Sequence, residues 1–505
     1  MDFGRQAEGC RSLRRRQLNI ETPVVDGGIW SPRYLAVTIA NLTVVAVAAF
    51  DGLAVVAALP SVGEDLGSIA WLPFVITAYL AASAVAVVVA GPIIDAVGVR
   101  RTFRVTATWL CVTTAAAAVA PTMEILVSVR LAQGLGGGLV IAVALAAVGL
   151  AYPHELRPRA FAANSLVWGL MGFGGPALAA ALLTVGDWRV VFAAQIPITL
   201  GAMAAGWRSL PATRERPTRI DTDWTGVGLL TIVVVATLVM VAQIGVRWWL
   251  VAVSGLCAAF VAAAYWRHAG RSAEPVMRRE HLVRFPLGVV HVSTGAVLVV
   301  GLAADNYLPL YVQTVRGASE QAAAFTLVFL TVGWTVGAVV FSRLPRTWPE
   351  STATVTGASM MIPSLVVVSA MFAVDGPLWV LFIGFFTVGM SIGLVSTSGI
   401  TWMQRDAAEA EMGRVNAAHQ FVRTVAITAA VALGGAVLLA TVDARTGAVE
   451  SVRALLAGDG TVVSSATVAA IGDGVALVSG IAAVLAVPMW FFVLRAHRRR
   501  RAIEI

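Results

Sequence analysis

The chain has 505 residues, of which 58% are apolar and only 13% charged, with a mean hydropathy of +0.82. A soluble protein of this length needs a charged coat of roughly 25% of its residues, so the composition excludes one and sets most of the mass against lipid or other helices. The net charge of +8 does not indicate nucleic acid, because all 36 basic residues are arginine and they sit in short clusters between apolar runs, the pattern that encodes membrane topology.

At the start of the chain, Arg14, Arg15 and Arg16 are separated from the first apolar run by the polar stretch Gln17 to Arg33. That spacing argues against a cleaved export signal, and Cys10 lacks the preceding apolar stretch that lipidation requires. Cys10, Cys111 and Cys257 form neither a disulfide framework nor a metal motif. Crossing the hydrocarbon layer takes about 20 apolar residues per helix. Such runs occur at Tyr34–Leu59, Trp71–Ile94, Thr102–Ala120, Ile125–Leu150, Phe161–Val185, Val190–Trp207, Thr225–Gly245 and Trp248–Trp266. They continue at Phe285–Leu308, Ala322–Ser342, Thr352–Ala373, Leu378–Trp402, Ala417–Thr441 and Gly474–Leu494. The runs are continuous rather than alternating, which selects helices over barrel strands. The expected fold is an all-α membrane protein of fourteen transmembrane helices, the alternative being that Thr225–Gly245 and Trp248–Trp266, joined by almost no loop, form one re-entrant pair.

An even count puts both termini on one side, where 29 arginines fall, against 5 in the opposite loops and 2, Arg130 and Arg423, in or at the edge of spans. The termini are therefore expected in the cytoplasm, with the protein in the cell (inner or plasma) membrane. The expected division is a leader over 1–33, a first bundle over 34–207, a linker with two extra helices over 208–284, a second bundle over 285–494 with an outer loop from Val442 to Asp473, and a basic tail over 495–505. That loop is expected to hold two weakly helical or hairpin segments around Gly458-Asp459-Gly460, serving as a tether or as a platform toward an envelope partner.

Ionisable groups inside spans are costly and point to function. They are Asp51, Arg130 and Arg423, with Asp305 near the outer end of the ninth run and His291 nearer its inner end. Gln133, Asn164, Gln195, Gln243, Asn306 and Gln313 are neutral companions. An apolar surround brings a carboxyl toward neutrality, so Asp51 is expected to carry a coupling proton, the alternative being a permanent ion pair with Arg423 or Arg130. His291 reads as a packing histidine or, given its titration range, a switch, and Asp305 as a further proton-coupling candidate beside Asp51 and Arg423, the alternative being that it sits near enough to outer water to be solvated. No catalytic pair or metal motif lies in the spans, which argues against an enzyme and against any cofactor beyond protons.

The stretch Gly91-Pro-Ile-Ile-Asp95-Ala-Val-Gly98-Val-Arg100-Arg101 resembles the signature loop of the major facilitator superfamily, with Ala96 and Val99 where basic residues are usual. Arg130-Leu-Ala-Gln133-Gly134-Leu-Gly136 is similar to the arginine and glycine motif of its fourth helix. Phe50-Asp51 through Leu59-Pro60, Trp188-Arg189 through Pro197, Leu310-Tyr311 through Ser319 and Gly413 through Arg423 resemble the fourteen-helix drug:proton antiporter branch. Gly174-Gly175-Pro176-Ala-Leu-Ala179-Ala180 resembles the antiporter motif, with alanines in place of its closing glycine pair.

The resemblance implies two six-helix bundles around a midplane cavity that opens alternately to each side, with an inserted helix pair. It also implies that Asp51 and Arg423 face each other across that cavity, and that Asp95 latches onto a helix N-terminus of the other bundle, that of the thirteenth span. Asn164, Trp168, Gln195, Trp334 and Gln313 are the expected substrate contacts. The implied activity is proton-driven export of lipophilic or amphipathic compounds, of multidrug-efflux type, by a protein set in the lipid bilayer. The competing expectations are export of an envelope lipid or glycolipid, and a membrane sensor or scaffold that transports nothing.

Overall fold

The computed structural model describes residues 27–67, 71–212, 223–345, 347–456 and 462–504. The leader residues Cys10 and Arg14 to Arg16, the linker arginines Arg214 to Arg219, Arg346, the Gly458-Asp459-Gly460 turn and the Pro176 side chain lie outside the described residues. The principal helices are α1 (Leu35–Leu66), α2 (Leu72–Val97), α3 (Val99–Ala118), α4 (Met123–Ala151), α5 (Arg157–Leu183) and α6 (Trp188–Ser209, broken at Ala194). They continue as α7 (Trp224–Ala242), α8 (Trp248–Ala269), α9 (Leu287–Leu302), α10 (Leu327–Arg343), α11 (Glu350–Ala373), α12 (Leu378–Asp406), α13 (Met412–Thr446) and α14 (Ser465–Glu504). No strand occurs among the described residues.

Helices are the outcome because hydrocarbon offers no partner to a backbone N–H or C=O, so each segment satisfies its own. Their ends are set locally. The Asp187 carboxylate accepts the Arg189 N–H at 2.9 Å at the start of α6, and Asp223 accepts the Gly226 N–H at 2.8 Å at the start of α7, both ordinary N-caps. Gly98, at φ 88°, makes the turn between α2 and α3 that a residue with a Cβ would resist.

Each of the fourteen apolar runs falls on a helix, but among the described residues eleven helices are long and apolar enough to cross a membrane, or twelve when α5, bent by 47° between Gly172 and Ala177, counts as one span. The two that fall short are α3, with Arg100, Arg101 and Arg104 in its first two turns, and α10, which has 17 residues. The expected loop over Val442 to Asp473 is mostly helix: α13 runs to Thr446, where left-handed Gly447 stops it, and a short helix spans Val449–Leu456 before α14 begins. The expected tail is likewise a continuation of α14 through Arg495 to Arg501.

Helices α1 to α6 form one bundle and α9 to α14 another. The pair α7/α8 packs on the seam between them, through contacts of α7 with α2 and α13. Phe260 and Leu256 on α8, exposed by 76% and 71%, suit an acyl-chain environment. Lipid supplies no hydrophobic drive between helices, so close approach over small residues does that work. A Cβ at Gly134 or Gly138 of α4 would fall on the Tyr79 or Ser83 carbonyl of α2, and one at Gly389 or Gly393 of α12 on the Leu330 or Trp334 carbonyl of α10. Both seams repeat at four-residue spacing. Gly138→Val is therefore expected to cost about 1–3 kcal/mol or more in the detergent-purified protein, read as a lowered thermal unfolding midpoint. Gly228→Ala, with open space around it, should stay within about 0.5 kcal/mol; equal midpoints for the two would refute the seam.

Candidate functional site

Inside the first bundle, Arg130 Nη1 donates to Asp51 Oδ1 and Oδ2 at 2.9 and 2.8 Å, and to Gln133 Oε1 at 2.8 Å. Its Nε donates to the Val75 carbonyl at 3.0 Å, and its guanidinium carbon lies 4.3 Å from the Tyr79 ring centroid. Gln133 Nε2 donates to Asp51 Oδ1 at 3.2 Å and to Thr114 Oγ1 at 3.0 Å, while Gln195 Nε2 reaches Asp51 Oδ1 at 3.4 Å. Asp51 and Arg130 are 2% and 1% exposed.

This corrects two expectations. Asp51 does not face Arg423 across a cavity but is tied to Arg130 within its own bundle, because α4 approaches closely enough for a charge pair with its remaining valences filled. Gln195 does not face the cavity either, since its amide is turned onto Asp51.

The cavity lies between the bundles and measures about 440 Å³. From the first bundle it is lined by Ala144, Leu145, Asn164 and Trp168, and from the second by Asp305, Thr331, Trp334, Ser396, Gln420 and Arg423, among others. Of the expected substrate contacts, Asn164, Trp168 and Trp334 line it. Gln313 does not: after α9 the chain breaks into short turns that carry it past the cavity to an exposed position. Asn164 is partly committed, its Oδ1 accepting from Asn41 Nδ2 at 2.8 Å. Arg423 stands 5.7 Å from the Trp334 ring centroid. Asp305, expected to be solvated, is only 8% exposed, and its Oδ1 has no hydrogen-bond partner among the described residues.

Toward the arginine-rich end the cavity is sealed by contacts between the halves. Asp95 Oδ1 accepts the Gly413 N–H at 2.7 Å and Oδ2 the Arg414 N–H at 3.1 Å, so the carboxylate caps the first turn of α13, where unpaired N–H groups and the helix dipole favour an anion. Gly91 permits the approach, since its Cβ would stand 2.7 Å from the Arg414 Cα. Arg100 Nε donates to the Leu210 carbonyl at 2.5 Å, tying α3 to the end of α6, and Arg101 is exposed. Arg157 Nη1 donates to the Gln404 carbonyl at 2.7 Å, Gln404 Nε2 to the Leu145 carbonyl at 3.0 Å, and His154 Nε2 lies 3.1 Å from Glu350 Oε1. An apolar core containing Val148, Phe161, Val290, Trp402 and Val415 joins both halves at this end, whereas at the other end each bundle keeps its own. Gly175 is buried beside the α5 bend.

Sequence reasoning passed over Tyr79, Ser396, Gln420 and His419. The signal for the last two was present, since both flank Arg423 at helical spacing.

Two helical bundles enclose a cavity lined from both sides, with buried charges in each half, and the family and relatives that match the chain indicate a multi-span membrane transporter rather than an enzyme. Residues 42–431 match the Major Facilitator Superfamily, and the chain belongs to that superfamily. It is 29% identical over 332 residues to a "probable multidrug-efflux transporter" of Mycobacterium tuberculosis, covering 62% of this chain and 67% of that one. It is 28% identical over 386 residues to the tetracenomycin C resistance and export protein of Streptomyces glaucescens, covering 73% and 69%. Among solved structures, the human organic anion transporter MFSD10 (TETRAN) superposes with a TM-score of 0.62 at 14% identity, covering 92% of this chain and 99% of the other. A bacterial homologue of the iron transporter ferroportin, in an outward-facing state, gives 0.60 at 11%, covering 90% and 99%.

Proposed function

We propose that the protein is a proton-coupled secondary exporter of lipophilic or amphipathic compounds, working by alternating access, with fourteen spans and both termini in the cytoplasm. The observation that carries this reading is the cavity: largely apolar, built from both bundles, sealed at the arginine-rich end, and holding one buried carboxyl with an unpartnered oxygen and one arginine. In this reading the structure is the outward-facing state. Relatives described as multidrug-efflux or drug-export proteins support the cargo class. Asp51, locked to Arg130, orders the first bundle, and Asp305 becomes the cavity's proton-accepting carboxyl. Arg423 lines the same cavity as a fixed positive charge. The drive is ample, because one charge crossing the membrane gains about 2.3 kcal/mol per 100 mV before any pH difference is added.

The test is reconstitution into liposomes with an imposed pH gradient and ethidium, a lipophilic cation, as probe. The wild type should accumulate ethidium against its gradient when the lumen is acid. Asp305→Asn should still bind ethidium in detergent but lose that accumulation. A wild type indifferent to the gradient would remove proton coupling, and an unimpaired Asp305→Asn would remove Asp305 from it.

A further inference from the structure

On the arginine-rich side of the cavity, a polar cluster lies outside the contacts described so far. His291 on α9 and His419 on α13 pack ring against ring, centroids 5.5 Å apart and planes inclined at 45°, at 3% and 0% exposure. Apart from a contact of His291 with the Leu287 backbone, the ring nitrogens lack a hydrogen-bond partner among the described residues, as does the Thr294 hydroxyl nearly a turn along α9. Burying a polar atom without a partner is costly, so a pair kept only to fill space would be served better by leucine or phenylalanine. Unpaired imidazole nitrogens instead offer acceptors for a proton, and a protonated ring can donate to its neutral neighbour.

The position of the pair matters as much as its chemistry. His419 precedes Arg423 by four residues and shares its helix face, and Arg423 lines the cavity. Toward the arginine-rich end, the short helix before α9 carries His281, whose Nε2 lies 3.5 Å from Glu411, itself paired with Arg278 at 2.8 Å. Burial holds the His281 imidazole below its ordinary range. Other charged groups on the packed elements are engaged elsewhere: Asp95 of α2 at Gly413 and Arg414, Asp223 of the α7 cap with His268, and Glu350 of α11 with Arg405 of α12 and Arg500 of α14. Arg423 and the titratable His281 are thus the neighbours on either side, and no carboxylate pairs with either imidazole of the pair.

We propose that the His291–His419 pair is a proton-binding site of the transport cycle, holding one proton at a time and passing it between the cavity and the Glu411–His281 cluster. Double protonation is disfavoured by the like charge so close by in a dry site and by Arg423 one turn away. The step moves a proton only: it arrives on a free ring nitrogen from water or His281, and leaves toward the cavity carboxyl or back. The inference rests on the proton-coupled reading above and extends it from the cavity to a route through the second bundle.

The experiment compares two assays on the reconstituted full chain with ethidium. A lumen one pH unit more acid sustains about tenfold accumulation per exchanged proton, while counterflow at equal pH requires only that the loaded protein rock. His291→Gln and His419→Gln should each lose the tenfold accumulation yet keep counterflow within about twofold of wild type, the scatter of a surface change. The double variant His291→Leu/His419→Phe, which removes all four nitrogens, should behave alike and supplies a folded comparison if a glutamine variant fails. Accumulation at the wild-type level in the double variant would overturn the proposal, as would loss of counterflow in all three, which would make the pair structural. A wild type that ignores the gradient fails at an earlier and separate step, sinking the coupling itself.

Discussion

Arg130→Ala is expected to destabilise the protein by about 3–5 kcal/mol, the cost of breaking one side of a buried ion pair, read as a large fall in the thermal unfolding midpoint and in the yield of purified protein. Removing the guanidinium strips Asp51 of its two shortest hydrogen bonds and leaves a carboxylate at 2% exposure. Gln133 Oε1 loses its donor at the same time, and the Val75 carbonyl loses the side-chain bond it accepts beyond the helix ladder. Because the remaining amides of Gln133 and Gln195 donate to Oδ1 only, at 3.2 and 3.4 Å, they do not replace it. Asp51→Asn/Arg130→Met, which removes both charges and fills the volume, should recover more than half of the loss, since neutral replacement of a buried pair is often close to neutral. An Arg130→Ala protein that melts with the wild type would show that the pair does not hold the bundle together.

Asp95→Ala should release the arginine-rich seal. Its carboxylate makes two backbone hydrogen bonds across the halves, each worth about 1.5–3 kcal/mol as a charged acceptor. The loss of even 1.4 kcal/mol shifts the balance between sealed and open states about tenfold. With Cys10, Cys111 and Cys257 changed to serine, Ala144→Cys in the cavity lining reports the opening. Its labelling by an impermeant maleimide from the arginine-rich face should rise at least about tenfold when Asp95→Ala is added. An unchanged rate would reduce the Asp95 contact to a local helix cap. Gly91→Leu, which forces a side chain into Arg414 and Ala417, should act in the same direction.

The Asp51 site illustrates where sequence reasoning stops. That Asp51 and Arg130 are buried and therefore partnered was legible, because neither charge survives alone in an apolar run. Which partner Asp51 takes was not, because Arg130 and Arg423 are equally good donors in a one-dimensional list. The choice follows from glycine seams that pull α4 onto α2, a matter of relative helix placement. Asp95 lay the other way: the resemblance of its segment to the superfamily's signature loop implied the cap on the thirteenth span, and the structure places it in the last turn of α2 on the Gly413 and Arg414 N–H groups, where Gly91 lets the other half come close.

The amino-acid sequence by itself determined that the chain is a helical membrane protein, where its helices run, and which few polar groups they carry, because the penalty for polar atoms in hydrocarbon acts on each residue independently of its neighbours. The tertiary structure alone decided that Asp51 belongs to a closed network, that Asp305 and Arg423 share a cavity, and that His291 meets His419. These are questions of which helix faces meet, and close packing of small residues between helices settles them over distances no local pattern records.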